Sequence, residues 1–229
     1  SREIPDYVEG HNLLAGKSVL ITAAAGAGIG FSAAKRGVEE GATAVVISDV
    51  HEGRFSQARE ALAELSNACQ VSSQLCDVTD ETQVQALVDF AEVETGGVDI
   101  LINNAGILRD RMFVSSSVEE WDAVMNVHLR GHFLVGNAAA QYWRVEAKAG
   151  RTREARIINT SSGAGLQGSV GQSAYSCAKG GIAALTLVQA AELRRYGVTA
   201  NAIAPAARTR MTEAVFADMM AKPAACFNC

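Results

Sequence analysis

No uninterrupted apolar run in these 229 residues reaches the length of a membrane span, and the opening stretch, Ser1 to Gly10, is polar and acidic rather than signal-like. Positive charge is not in excess. Twenty Lys and Arg against 25 Asp and Glu leave a formal net charge of -5, which gives no electrostatic case for nucleic acid or an anionic membrane. Cysteine is scarce: Cys69, Cys76, Cys177, Cys226 and Cys229 are odd in number and scattered, which fits reduced thiols better than a disulfide framework. Cys226 and Cys229 have redox-motif spacing but no strand–helix context, so chance spacing is preferred. Internal repeats and linker-like stretches are also missing, and the basic segment 148–156 reads as a solvated loop. What remains is 48% hydrophobic and 20% charged, enough for one buried core, and it points to a soluble cytoplasmic protein.

Short apolar, β-rich runs alternate with longer amphipathic ones. Strands are predicted at Ser18 to Ala23, Thr43 to Ser48, Val71 to Leu75, Val98 to Asn103, Arg156 to Thr160 and Val198 to Ala204. Helical patterns fill Ile29 to Glu40, Glu52 to Ser66, Glu81 to Glu94, Val118 to about Val145, Tyr175 to Tyr196 and Met211 to Met220. Gly41 is a helix-stopping glycine, and Asp80 or Thr79 can cap the third helix. Strands separated by helices of a dozen residues pair in parallel through right-handed crossovers. The pattern therefore predicts an α/β fold, a doubly wound parallel sheet with helices on both faces. We read residues 1–229 as one domain, with an arm at 1–14 and a tail at 221–229.

The first strand is followed by Gly26, Gly28 and Gly30. Such a turn lets backbone approach a pyrophosphate while the following helix offers unpaired N–H groups and partial positive charge. A Walker loop is excluded, because no Gly-Lys-Ser/Thr follows. Asp49 ends the second strand, nineteen residues after Gly30. A carboxylate there can accept from adenosine ribose hydroxyls and repel a 2′-phosphate, which favours NAD over NADP. Two alternatives stand beside this: Asp49 as a helix cap, and Arg54 as a 2′-phosphate partner.

Tyr175 and Lys179 lie four apart on one helix face. A nearby ammonium favours the phenolate and would lower the tyrosine pKa from about 10. Ser162, just past a strand end, can hydrogen-bond the same substrate oxygen.

Together these motifs carry a resemblance. The loop 23–30, Asp77-Val78, Asn103-Asn104-Ala105-Gly106, Ser162, Tyr175-x-x-x-Lys179 and Asn201-x-Ile203-x-Pro205 resemble the short-chain dehydrogenase/reductases over essentially the whole chain. The resemblance implies a Rossmann-like domain binding NAD, with Tyr175 as general acid/base, Lys179 on the nicotinamide ribose and Ser162 orienting the carbonyl. It places Gly28 and Gly30 at the phosphates, and Asp77 and Val78 at the adenine. Asn104, Ala105 and Gly106 would line the cleft, with Thr209 near the carboxamide. Ala24, Gly26, Ile29 and Pro205 complete the implied cofactor set.

The sequence departs from the family at several points. Ala23 and Ala24 replace the usual Thr-Gly, which is tolerable at Ala24 if its φ is negative. Ala206 follows Pro205 where glycine is common. His128 stands where the family commonly has a relay asparagine, and it is assigned a structural or relay role. Around it, Val127 to Gly131, together with 109–111, 159–162 and 204–211, resembles the (3R)-hydroxyacyl-CoA dehydrogenase part of peroxisomal multifunctional enzymes and bacterial relatives. His128 and His132 have zinc-helix spacing but lack the glutamate and a third ligand, so no metal is expected. The family's seventh strand is not found, which implies six strands and an exposed edge. The expected activity interconverts a secondary alcohol and a ketone. The substrate is small, hydrophobic or 3-hydroxyacyl-CoA-like, with a hydroxysteroid as runner-up. A catalytically weak NAD-binding or scaffold protein is the rival. Helices around Val124 to Val145 and Tyr175 to Tyr196 resemble those between family subunits, implying a homodimer or tetramer.

Overall fold

Every residue of β1 (Ser18–Ile21) and β2 (Ala44–Asp49) is buried, as befits parallel strands covered on both faces. The computed structural model of the protein describes residues 9–66 and 68–205. The remaining elements in chain order are α1 (Ile29–Glu39), α2 (Phe55–Ala63), β3 (Gln70–Leu75), α3 (Glu81–Thr95), β4 (Ile100–Asn103), α4 (Val118–Met125), α5 (Gly131–Lys148), β5 (Ala155–Thr160), α6 (Gly163–Gln167), α7 (Ser173–Leu193) and β6 (Val198–Ile203), with α1 following β1 and α2 following β2. The six strands form one parallel sheet in the order β3-β2-β1-β4-β5-β6. This is the doubly wound arrangement expected from the alternation.

Period-two side-chain direction divides the core. Leu20, Val46, Leu101 and Ile157 face one side and pack with Leu87 and Val88 of α3 and Val135 and Trp143 of α5. Val19, Ile21, Val45 and Ile47 face the other and pack against Ala34 and Val38 of α1 and Phe55 and Leu62 of α2. Trp143 also donates from its indole to the Val98 carbonyl at 2.7 Å, so its one polar atom is satisfied. β3 and β6 are the outer strands of the described sheet, and β3 is only partly buried, which explains its weaker apolar pattern.

The long helix predicted from Val118 is interrupted. A five-residue π-turn, Asn126–Arg130, joins α4 to α5. Such a widened turn leaves no mark in a 3.6-residue periodicity and re-aims the side chain it carries. Here that side chain is His128. The short helix α6 also went unpredicted, because its Gly163, Ala164 and Gly165 carry no apolar pattern. The predicted helix Met211 to Met220, Ala206, Thr209 and the Cys226–Cys229 pair lie outside the described residues. No helix among the described residues is long and apolar enough to cross a membrane.

A buried polar ladder ties the sheet to its helices. Asn103 Nδ2 donates to Asn159 Oδ1 at 3.0 Å; Asn159 Nδ2 donates in turn to Thr186 Oγ1 at 2.9 Å and Gln189 Oε1 at 2.8 Å. Gly136 of α5 leaves room for this, since a Cβ there would lie 2.7 Å from Gln189 Nε2. Asn159→Leu strands several buried partners and is expected to lower the unfolding free energy by about 3 kcal/mol, against about 1 kcal/mol for Thr186→Val. Urea denaturation followed by circular dichroism measures both.

Candidate active site

The strand order reverses between β1 and β4, and the crevice at their carboxyl ends is where open α/β sheets bind ligands. Thr22, one residue past β1, holds that crevice together. Its Oγ1 accepts from the amides of Asn104 at 2.9 Å and Ala105 at 3.2 Å, while Asn104 Nδ2 donates to the carbonyls of Thr22 and Ala23. Gly30, in the first turn of α1, packs directly on this clamp: a Cβ there would lie 2.6 Å from both Ala23 O and Asn104 Nδ2. Gly28 has φ 155°, a backbone that side chains rarely adopt, and α1 has no acidic residue in its first turn. The free N–H groups and dipole of that helix end therefore face the crevice.

The two alanines of the loop behave differently. Ala24 is fully buried, is not among the positive-φ residues, and donates its amide to Ser48 O at 2.9 Å, so its extra methyl is accommodated. Ala23 has φ 52°, a left-handed conformation that costs a non-glycine residue about 1–2 kcal/mol. Sequence reading located the substitution but not which alanine carries the strain.

On the far wall stand the other predicted groups. The Lys179 side chain is buried and donates from Nζ to Thr160 O at 2.5 Å, and the ammonium lies 5.6 Å from the Tyr175 ring centroid. Tyr175 is one helical turn earlier on the same face of α7. Its hydroxyl hydrogen-bonds Ser162, whose Oγ also caps α6 by accepting from Ala164 N at 3.2 Å. Gly165 lets α6 close on α7, because a Cβ there would lie 2.8 Å from Lys179 Cβ. Burial lowers the Lys179 pKa to about 8. The expectation of a lowered tyrosine pKa is corrected: burial pushes the Tyr175 phenol up, and the Ser162 hydrogen bond only partly opposes it.

His128 is buried with its ring edge-on to Tyr175, the centroids 5.2 Å apart and the planes at 87°. Its Nε2 lies 2.9 Å from the Ile107 amide and 2.7 Å from the Ile107 carbonyl, with the tautomer deciding which bond is made. A Cβ on Gly106 would strike this ring, so Gly106 is required by the histidine as well as by the cleft. Burial, with Lys179 nearby, lowers the His128 pKa to about 4. One turn on, His132 is equally buried and burial lowers its pKa to about 3.

Two adjoining cavities complete the cleft. One, of about 490 Å³, is lined by Gly28, Ile29, Gly30, Asn104, Gly106, His128, Thr160, Tyr175 and Lys179. The other, of about 350 Å³, is lined by Asp49, Asp77, Val78, Ala105 and Gly106. Asp49 is buried; its Oδ1 accepts from His51 N at 3.1 Å and lies 3.9 Å from Arg54 Nη1. It thus makes a local turn bond while also lining the cleft. Asp77 accepts through Oδ1 from the amide and hydroxyl of Thr79. Three predicted residues stand apart: Ala24 lies beneath the loop, Gly26 lines a groove between α1 and α2, and Pro205 follows β6 at the edge of the described residues. Sequence reading missed Thr22, the Thr160 carbonyl and Ile107, all of which act through backbone or as ordinary hydroxyls with no motif to mark them.

A family model described as short chain dehydrogenase matches residues 17–220. The chain belongs to the short-chain dehydrogenase family. Hydroxyacyl-CoA dehydrogenase ChsB1 of Mycobacterium tuberculosis is 47% identical over 209 residues, 89% of this chain and 65% of that protein. Peroxisomal multifunctional enzyme type 2 of Drosophila melanogaster is 35% identical over 205 residues, 88% of this chain and 33% of that protein. Among solved structures, NAD+-bound xylitol dehydrogenase matches with a TM-score of 0.78 and 31% identity, covering 84% of this chain and 71% of that one. The resemblance read from the motifs, including its hydroxyacyl-CoA branch, is borne out by these matches. This short-chain dehydrogenase spans less than two thirds of the length of either curated relative.

The paired histidines give the fold an acid limit. Both have pKa values of 6.5 when unfolded and far lower ones when folded, so folding favours their neutral forms. That stability is whole above pH 6.5 and is lost as pH falls from there toward 4 for His128 and 3 for His132. At pH 5 the expected loss is about 2 kcal/mol per histidine relative to neutral pH. Urea midpoints at pH 7.5 and pH 5 should fall apart in the wild type, and His132→Gln should remove about half of that difference.

Proposed function

We propose that this short-chain dehydrogenase is an NAD-dependent oxidoreductase that interconverts a secondary alcohol and a ketone. The observation that carries the reading is the convergence of the Tyr175 phenol, the Ser162 hydroxyl and the Lys179 ammonium beside the glycine loop. A nicotinamide dinucleotide, when bound, supplies the hydride acceptor for oxidation and the donor for reduction. The residues fit such a group: Gly28 leaves backbone open at the start of α1, and Gly30 lets that helix begin directly against the clamp, where a Cβ would lie 2.6 Å from Ala23 O. Gly28, Ile29 and Gly30 would carry the phosphates. Asp49 would accept from the ribose hydroxyls, and Asp77 and Val78 would hold the adenine. Asn104, Ala105 and Gly106 would form the floor.

In reduction the Tyr175 phenol gives its proton to the substrate oxygen, and in oxidation the phenolate takes a proton from the alcohol. Ser162 donates to the same oxygen and holds its developing charge. Lys179, fixed by the Thr160 carbonyl, keeps positive charge beside the phenol. His128 orients the ring by its edge contact and its bond to Ile107. NAD rather than NADP is supported by the buried Asp49 carboxylate, toward which Arg54 already points. The 3-hydroxyacyl-CoA-like or other hydrophobic substrate is supported by the relative whose name says hydroxyacyl-CoA dehydrogenase. A cytoplasmic location is supported by Cys69, Cys76 and Cys177, all free thiols.

A panel of alcohols and ketones with NAD and NADP, followed by absorbance of the reduced nicotinamide, tests this. Turnover is expected with NAD and a 3-hydroxyacyl thioester, and Tyr175→Phe should lose at least 100-fold in kcat while NAD affinity holds, as expected for a general acid/base. A wild type that binds NAD and turns over nothing would favour a catalytically weak NAD-binding protein.

Self-association is the second part of the proposal. α5 and α7 expose Phe133, Leu187 and Val188, and Met125, Leu129, Phe133 and Leu185 line a groove between them. Clustered exposed apolar groups of this kind mark contact surfaces. Sedimentation at micromolar concentration is expected to show a dimer or tetramer, and Leu187→Glu to shift it toward monomer.

A further inference from the structure

Two loops meet at the amino end of α7. The segment after β4 lies against the segment before α7: Arg111 N donates to Gly171 O at 2.8 Å, and Arg111 pairs with Gln172 in an isolated parallel bridge. Gln172 is the N-cap residue of α7, yet its side chain makes no capping bond. Its Nε2 donates instead to Asp110 Oδ2 at 3.0 Å. Arg111 is in turn held to α4 by a 3.2 Å ion pair with Glu120. The first turn of α7 contains no acidic residue of its own. A carboxylate from a different loop is thus tied to the N-cap residue, itself three residues before Tyr175, at the helix end where negative charge is favoured.

We propose that Asp110 is a positioning residue for the proton transfer: Gln172 straps its carboxylate to the amino end of α7, where its negative charge favours the neutral phenol of Tyr175, the form that gives a proton to a ketone. The inference rests on the alcohol–ketone reading. In reduction, hydride from a reduced nicotinamide reaches the carbonyl carbon and the C=O π pair moves to oxygen. That oxygen takes the phenolic proton, leaving the O–H bonding pair on Tyr175 as phenolate. A carboxylate near the ring opposes this last charge and favours its reprotonation.

The groups around the phenol come from each packed element. Lys179 faces it from α7, Ser162 from the start of α6, and His128, held neutral, from the π-turn. From the β4–α4 loop come Asp110 and its neighbours Arg109 and Arg111; Arg109 donates to its own neighbour's carbonyl and Arg111 is paired with Glu120. Asp110 is exposed, so salt screens its charge. Its field joins burial in raising the Tyr175 pKa.

Spectrophotometric pH titration of the tyrosines tests the proposal directly. Subtracting the curve of Tyr175→Phe leaves the Tyr175 transition, removing the other three of the four tyrosines. Asp110→Asn should lower its midpoint by about half a pH unit at low ionic strength, and the shift should shrink in high salt. Gln172→Leu should move it in the same direction by less, and Asp110→Glu should stay nearest the wild type. The acid limb of alcohol oxidation and the alkaline limb of ketone reduction should both move to lower pH with the midpoint. A midpoint unmoved in folded Asp110→Asn and Gln172→Leu would overturn the role of Asp110. A wild type inactive toward every alcohol and ketone would instead remove the dehydrogenase reading, with the titration still measuring the effect of the carboxylate.

Discussion

A buried ammonium has to be held, and Lys179 is held by one carbonyl at the end of β5. Its Nζ reaches Thr160 O, so the last residue of a central strand sets the depth and rotation of α7. Ser161, next along the chain, repeats the connection in reverse by donating its hydroxyl to Lys179 O at 2.8 Å. With α7 pinned this way, Tyr175 is presented toward the cleft one turn earlier. Gly165 allows α6 close enough for Ser162 to reach the phenol. The polar ladder from Asn103 through Asn159 to Thr186 and Gln189 extends the same junction into the core, so α7 is joined to the sheet by hydrogen bonds as well as by apolar packing.

The opposite wall obeys a different constraint. There two side chains, the Thr22 hydroxyl and the Asn104 amide, hold backbone in place, and glycines keep it approachable. Thr22 clamps the ends of β1 and β4, and Gly30 permits α1 to start directly on that clamp. Gly106 has two neighbours to satisfy, the cleft and the His128 ring. The π-turn that brings His128 there costs regular helix geometry between α4 and α5 and gains a neutral ring against the edge of Tyr175. Histidine in place of a smaller amide thus belongs to a local repacking that includes a widened turn and a glycine.

Burial also changes the electrostatics that residue identity alone suggests. A lysine four residues after a tyrosine implies a lowered phenol pKa, yet the same enclosure that brings them together raises the phenol and lowers the amine to about 8. Desolvation disfavours both charged forms, and at this separation it outweighs their attraction. Asp110, a surface residue outside the glycine-loop and Tyr-x-x-x-Lys motifs, adds to the same balance.

Much of the fold and most of the candidate site were legible in the residues themselves. The order of six strands along the chain and most of their helices followed from hydrophobic periodicity, because the inner strands are short buried runs and the longer helices carry an apolar stripe, whereas α6 carries none. The glycine loop, Asp49, Ser162, Tyr175 and Lys179 were legible because each chemistry needs that residue type at that spacing. Other features were decided only in three dimensions. The carbonyl of Thr160, the amide of Ile107, the left-handed Ala23 and the π-turn at His128 belong to backbone, and backbone leaves no signature in residue identity. The strap between Asp110 and Gln172 joins positions 62 residues apart, a pairing that local pattern cannot encode and that only the packing of two loops creates.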